Sequence, residues 1–267
     1  MIAVIIPCYK VKQQILRVIE KIGHNVDKIY IVDDFCPEHS GQFVAENVSD
    51  PRIKIIYHEK NQGVGGAMIT GYKKALEDKC TIAVKIDGDD QMDPSLISKF
   101  ITPLIEGRAD YTKGNRFYYL EGLSQMPFLR LVGNAGLSFI NKISSGYWDI
   151  MDPTNGLTAI NLNVVNILPL DKISKRYFFE SDMLFRLNIS KAVIIDIPMH
   201  SKYADEKSNL NISQVLVTFP PKYIVRFSKR IFYNYFLRDF NIGSITLIFS
   251  ILSISFGTFF GAFHWFN

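Results

Sequence analysis

The sequence predicts an α/β domain built on a mostly parallel sheet, followed by a helical membrane appendage. Three observations predict it. Short β-branched apolar runs alternate with stretches of helical period, joined by short connections. Acidic residues collect where two of the apolar runs stop, Asp33 and Asp34 at one and Asp87, Asp89, Asp90 and Asp93 at another. Open α/β sheets bind ligands in the cleft outside the carboxyl ends of their strands. Finally, Ile242 to Phe266 is apolar and carries no Asp, Glu, Lys or Arg.

Ile2 to Ile6 reads as a buried strand, with no basic residues before it to make it a secretion signal. Val11, Ile15, Val18, Ile19 and Ile22 mark a helix from Val11 to Ile22. Ile29 to Val32 is a second strand, Gly41 to Val48 a short helix and Ile53 to Tyr57 a third strand. NQGVGGA then turns into a helix over Ala67 to Leu76. A fourth strand, Ile82 to Ile86, runs into the acidic cluster, and Pro94 opens a helix over Ser95 to Glu106. Tyr111 to Lys113 is a strand and Phe128 to Ser145 a helix carrying Leu129, Val132, Leu137, Ile140 and Ile143. Asp152-Pro-Thr-Asn-Gly is a turn by composition. Leu157 to Ile160 is a strand, Phe178 to Ile189 a helix with Glu180 and Asp182 in its first turn, and Val193 to Ile197 a last strand.

These elements divide the chain into an α/β domain over 1–212, amphipathic juxtamembrane helices over 213–240 and a membrane helix over 241–267. The tail run, roughly 25 residues, is long enough for a bilayer core of about 30 Å. The stretch before it mixes Phe, Tyr, Ile and Leu with Lys222, Arg226, Lys229, Arg230 and Arg238. That mixture reads as an interfacial helix on an anionic leaflet, and the positive-inside rule places the globular part in the cytoplasm. Ser253, Gly257 and Gly261 recur every four residues, a small-residue spacing that lets membrane helices approach and predicts a homo-oligomer.

The formal charge of +4 is mild and implies no nucleic acid as partner. The three cysteines, Cys8, Cys36 and Cys80, have no metal or redox spacing and read as reduced, buried thiols. With five histidines and no Ser-His-Asp or Cys-His pairing, neither a hydrolase triad nor a zinc centre is expected. The chain also lacks the phosphate-loop and dinucleotide glycine patterns. What remains is TIAVKIDGDDQMDP, a strand ending in carboxylates. These are hard oxygen ligands suited to Mg²⁺ or Mn²⁺ bridged to a diphosphate.

IIPCYK, IYIVDDFCPEHSG, NQGVGGA, KIDGDDQMDP, KGNRF, DPTNGL, FFESDML and DIPMHSKYADEKSNL occur in the order seen in family 2 glycosyltransferases. Over roughly residues 1 to 210 the chain resembles the polyprenyl-phosphate hexosyltransferases of that family. The resemblance implies a GT-A nucleotide-sugar-binding fold. It also implies an inverting, metal-dependent transfer of a hexose from a UDP- or GDP-sugar to a polyprenyl phosphate at the membrane. Carried over by position, Pro7, Tyr9, Val32 and Asp34 hold the base and ribose. Ile86, Asp87, Gly88 and Asp89 line the sugar diphosphate, with Lys207 near it, and Asp87, Asp89 and Gln91 contact the metal. Arg116 and Arg130 handle the acceptor phosphate, and Glu180 and Asp182 lie beside the acceptor. A phosphomonoester is largely ionised near neutral pH, its second pKa being about 6, so a strong general base is less necessary than for a sugar hydroxyl. Asp152 is the first candidate for an orienter or base and Asp182 the second.

The chain departs from the family pattern in three places. Lys10-Val11 stands where Asn-Glu is usual, Phe35-Cys36 where Gly-Ser is usual, and Ser201 where an arginine is usual. Two other readings compete: a transferase that extends a saccharide, and a membrane-anchored scaffold without catalysis. The aromatic-basic tail and the two arginines argue against the first. Retention of Asp87, Asp89, Gln91 and Glu180 argues against the second.

Overall fold

The computed structural model describes residues 1–119, 128–200 and 212–266. Seven strands among them form one sheet in the order β3-β2-β1-β4-β6-β5-β7. They are β1 (Ile2–Cys8), β2 (Lys28–Asp33), β3 (Ile53–Tyr57), β4 (Ile82–Lys85), β5 (Tyr111–Asn115), β6 (Thr158–Asn161) and β7 (Ile194–Pro198). The expected α/β class and mostly parallel sheet are observed: β1 pairs in parallel with β2 and β4, β2 with β3, and β5 with β7.

Strand β6 alone runs against its neighbours, β4 and β5. This reversal positions the site. An antiparallel strand enters the sheet at the end where its parallel neighbours leave it. Thr158, the first residue of β6, therefore pairs with Lys85 at the end of β4 and with Lys113 near the end of β5. The DPTNG turn before β6 is thereby delivered to the rim where KIDGDD and KGNRF emerge.

The sheet is buried on both faces, which is why its strands read as continuous apolar runs. Side chains of β1 alternate, Ala3 and Ile5 facing one layer and Val4, Ile6 and Cys8 the other. The first layer is made by α3 (Val64–Glu77), α6 (Leu162–Ile167) and α7 (Phe179–Ile189), with Met68, Tyr72, Val165, Phe179 and Leu184 in the core. The second is made by α1 (Ile15–Glu20), α2 (Ser40–Asn47) and α4 (Ile97–Ile105), with Val18, Ile19, Val44, Phe100 and Leu104. All three cysteines are free and buried.

Two elements differ from expectation. The helix expected from Val11 is α-helical only from Ile15. Lys10 has φ 59°, and the Val11 carbonyl closes a turn by accepting from the N–H groups of Gln14 and Ile15. Helix α6 was not legible, because LNVVNI is rich in β-branched residues and Asn, which disfavour helix interiors. It forms because the Asn161 side chain caps it at Asn163 N–H and Val165 is buried against the core.

The C-terminal part comprises α8 (Ile212–Phe232), a π-helical turn at Tyr233–Leu237 and α9 (Ile242–Phe266). Together with α5 (Phe128–Ser145), α8 packs beside α7. The basic residues of this C-terminal part do not all face outward, as an interfacial helix would have them. Arg226 pairs with Asp182 at 2.5 Å, Arg230 donates to the carbonyls of Ile143 and Ser144 at the end of α5, and Arg238 donates to that of Ile189 at the end of α7. Helix C-termini carry unpaired carbonyls and a negative dipole end, so they draw arginines inward. Lys222 lies over the Phe178 ring, and Lys229 is exposed. In α9, Ile242–Trp265 is long and apolar enough to cross a membrane, with mean hydropathy 1.9; Ser244 in its first turn is buried, and most of the helix is exposed.

Candidate active site

Four of the sequence-predicted segments meet at one rim, at the ends of β1, β2, β4 and β5. On the β1–β2–β3 side lies a cleft of ≈ 580 Å³ whose wall includes Tyr9, Phe35, Tyr57, His58 and Asn61, with Asp33 at its base. Aromatic faces of this kind can stack a nucleobase. Tyr9 is half exposed there, whereas Val32 and Ile86 are core residues whose side chains face away from solvent.

Asp34, expected to meet the base or ribose, is instead spent on the backbone. Its Oδ1 accepts from His58 Nδ1 at 2.7 Å and from Gln62 N–H at 2.8 Å, and its Oδ2 accepts from Gly63 N–H at 2.7 Å. Asp33 likewise accepts from the N–H groups of Cys36 and Gly41, each at 2.7 Å. Both carboxylates shape the loops beside the cleft. In the glycine-rich turn, Gly63 has φ +86°, which favours glycine. Gly65 has a different reason, since a Cβ there would lie 2.4 Å from the Ser174 carbonyl.

The acidic turn sorts its own carboxylates. Asp90 has φ 59° and is held by Lys21 at 2.6 Å and Arg17 at 3.2 Å on the α1 side. Asp93 caps the next helical turn at Ser95 N–H. Asp87 and Asp89 lie at the rim, both partly exposed, with Gln91 beside them donating its N–H to Asp89 Oδ1 at 3.1 Å. Two carboxylates and an amide oxygen are a hard oxygen set that fits Mg²⁺ or Mn²⁺ sharing a diphosphate's oxygens. Among the described residues no three His, Cys, Asp or Glu side chains gather into a metal-binding group by themselves.

Behind Asp87 stand residues that the motif reading overlooked. Lys85, 1% exposed, donates to Asp87 Oδ1 at 2.7 Å and to the Gly156 carbonyl at 3.2 Å, and lies 3.3 Å from Glu180 Oε1. Burial alone would push its ammonium down, but Asp87 and Glu180 hold it above the ordinary lysine value. A charge inside an otherwise apolar strand run was the available signal. Gly156 makes room for these side-chain ends: a Cβ there would lie 2.3 Å from Asp87 Oδ2 and 2.7 Å from Lys85 Nζ, so they would have to shift. Gly156→Ala is expected to displace the Asp87 carboxylate and lower kcat/KM about 10²-fold, the usual cost of a misplacement near 1 Å. Steady-state kinetics on protein with a native circular dichroism spectrum checks this, and wild-type turnover would remove Gly156 from the argument.

On the other side of the β6 turn, Arg116 clamps Asp152 with two donors, Nε to Oδ2 at 2.6 Å and Nη2 to Oδ1 at 3.0 Å. Asp152 is fully buried, while the Arg116 side chain is 32% exposed. Burial raises the Asp152 carboxyl, but Arg116 outweighs it and leaves the group below the usual carboxylate range. A carboxylate so paired is a weak proton acceptor and a good orienter, which narrows the two roles expected of it. Nearby, burial pushes Lys113 down to about 8, and its Nζ donates to the Asn155 carbonyl at 2.6 Å. Burial also pushes Asp196 up to about 6.

Asp182, the second base candidate, is fully buried. It accepts from Ser174 N–H at 2.7 Å and pairs with both Arg186 and Arg226. That geometry gives it a structural role. The Arg130 side chain and the whole of Lys207 lie outside the described residues.

Residues 3–167 match the model of "Glycosyl transferase family 2". The chain belongs to that family. Over 219 residues, 77% of this chain and 87% of the relative, it is 34% identical to a UDP-N-acetylglucosamine–dolichyl-phosphate N-acetylglucosaminyltransferase of Methanococcus voltae. It is 27% identical to a dolichol-phosphate mannosyltransferase of Pyrococcus furiosus, over 74% of this chain and 55% of that one. It is 25% identical to an undecaprenyl-phosphate mannosyltransferase of Micrococcus luteus, over 73% of this chain and 81% of that one. Among solved structures, glucosyl-3-phosphoglycerate synthase of Mycobacterium tuberculosis in complex with UDP superimposes with TM-score 0.63 at 16% identity, covering 86% of this chain and 79% of that one. Crystals of that synthase also hold Mn²⁺ with UDP.

As a family 2 glycosyltransferase, the chain is an enzyme of the expected GT-A-like fold. Its rim holds an aromatic cleft, a strand-end pair of carboxylates, and an arginine presented by a buried aspartate.

Proposed function

We propose that this glycosyltransferase moves a sugar from a UDP-linked donor to a polyprenyl phosphate at the membrane. The observation that carries it is the β6 register, which sets Asp87 and Asp89 across one turn from the Arg116–Asp152 pair. One side is chemically suited to a diphosphate with its cation, the other to a second phosphate. The named activities of the three relatives support a lipid-phosphate acceptor, and the Methanococcus relative supports UDP.

The cleft beside β2 binds the nucleoside, and Asp87, Asp89 and Gln91 would hold the divalent cation. A cation held by Asp87, Asp89 and Gln91 would neutralise charge growing on the leaving diphosphate. Arg116, fixed by Asp152, aims a planar donor fork at an acceptor phosphate oxygen. That oxygen attacks the sugar's anomeric carbon from the face opposite the nucleotide. The new carbon–oxygen bond forms as the bond to the β-phosphate breaks, and the electron pair leaves with UDP, so configuration inverts. The acceptor is already ionised, and neither Asp152 nor Asp182 needs to take a proton. Helix α9 holds the enzyme in the bilayer with the globular part in the cytoplasm.

The test is transfer of radiolabel from UDP-sugars into a solvent-extractable lipid, abolished by EDTA and restored by Mn²⁺ or Mg²⁺. Label in water-soluble saccharide alone would overturn the lipid acceptor. Arg116→Lys is expected to raise the acceptor KM about tenfold, because a point charge replaces a fork, and to leave UDP affinity unchanged. Equal losses toward both substrates would contradict this division. Additions at Gly257 and Gly261 meet open space on α9, leaving that face available to a second copy. Leucine at both positions is expected to reduce the mass measured by light scattering in detergent without changing UDP binding.

A further inference from the structure

Lys85 interrupts an apolar run, Ile82 to Ile86, with a charge that packing does not require. Its three contacts reach three separate segments: Asp87 in the acidic turn, the Gly156 carbonyl before β6, and Glu180 at the head of α7. The ammonium donates to Asp87 and to the Gly156 carbonyl and is ion-paired with Glu180. A buried charge is retained where such partners compensate its desolvation. A neutral donor could serve the carbonyl. What only a cation does here is offset one of the three negative charges of Asp87, Asp89 and Glu180.

The offset falls on the carboxylate proposed to hold the metal. A fixed cation 2.7 Å from Asp87 Oδ1 opposes a second cation on the same carboxylate. A donor diphosphate restores the negative charge and supplies the remaining oxygens. We infer that Lys85 is a resident counter-ion that makes cation capture at Asp87 and Asp89 depend on the donor diphosphate. The protein alone then holds the ion weakly, and ion and nucleotide bind as a unit. Lys85 acts through Asp87 and is a positioning residue. The inference rests on the metal-dependent reading above.

Mn²⁺ binding to the full chain in detergent, followed by electron paramagnetic resonance with and without UDP, tests it. In the wild type, UDP is expected to strengthen Mn²⁺ binding markedly. Lys85→Met keeps an unbranched chain, one atom shorter, and removes the charge. It is expected to tighten nucleotide-free Mn²⁺ binding about tenfold and to shrink the enhancement by UDP. A merely structural lysine would leave binding unchanged or weaken it, and either result in a folded Lys85→Met protein overturns the inference. Should that variant not fold, Glu180→Gln carries the test. With one carboxylate fewer to share Lys85, nucleotide-free Mn²⁺ binding should weaken severalfold while binding with UDP changes less, and equal changes would overturn the inference. A wild type that binds no Mn²⁺ even with UDP would sink the metal reading and this inference together. Equal Mn²⁺ affinity in wild type and Lys85→Met sinks the inference alone.

Discussion

Asp89→Ala is expected to lower kcat/KM at least about a thousandfold, roughly 4 kcal/mol at 1.36 kcal/mol per decade. Asp89 lies on a partly exposed turn after β4, so the fold should survive its truncation. Its neighbour Asp90 is engaged by Lys21 and Arg17 and cannot substitute without unwinding that contact. The loss should appear as failure of metal-dependent donor binding. Calorimetric titration of UDP with and without Mn²⁺ should show no metal enhancement in the variant. Asp90→Ala is the matched control and should retain most of the enhancement. An Asp89→Ala enzyme at the wild-type rate would show that the strand-end carboxylates do not hold a cation.

Asp182→Ala is expected to cost about 3–5 kcal/mol of stability, the range for stripping one partner from a buried ion pair. The carboxylate is fully buried and is shared by Arg186 and Arg226, whose side chains are 10% and 16% exposed. Its removal leaves two arginines without their counter-ion at the seam of α7 and α8. For a domain of this size each kcal/mol moves the melting temperature by about 2–4 °C, so a fall of about 6–20 °C is expected. Thermal unfolding in detergent measures it. The same experiment distinguishes the two roles considered for this residue. A catalytic base would lose turnover in Asp182→Asn with little change in melting. A structural carboxylate would lose stability first and keep turnover at low temperature.

Much of the fold was legible because the physics behind it is local. Runs such as IAVII and IYIV can only be buried strands, and the spacing of Ile15, Val18 and Ile19 has a helix's period. The acidic turn was legible as well, since carboxylates after a buried strand must emerge at its carboxyl end. The tail declared itself by length and the absence of charge. Composition and spacing, which require no knowledge of neighbours, determined these features.

Tertiary structure decided which polar residues are spent on the fold and which remain for chemistry. Asp33, Asp34, Asp90 and Asp182 look in sequence like the rest of their motifs, yet each is consumed by backbone N–H groups or cations brought from elsewhere in the chain. Arg226 and Arg230 looked like lipid-facing charges until α8 packed them against Asp182 and the end of α5. Above all, the reversal of β6 places Gly156 against Asp87 and gives Lys85 its partners, 71 residues apart for the carbonyl contact. A carboxylate's role depends on what lies within about 3 Å of it, the reach of a hydrogen bond. Contacts at that reach between distant segments are set by strand order and direction, which no local pattern in the chain encodes.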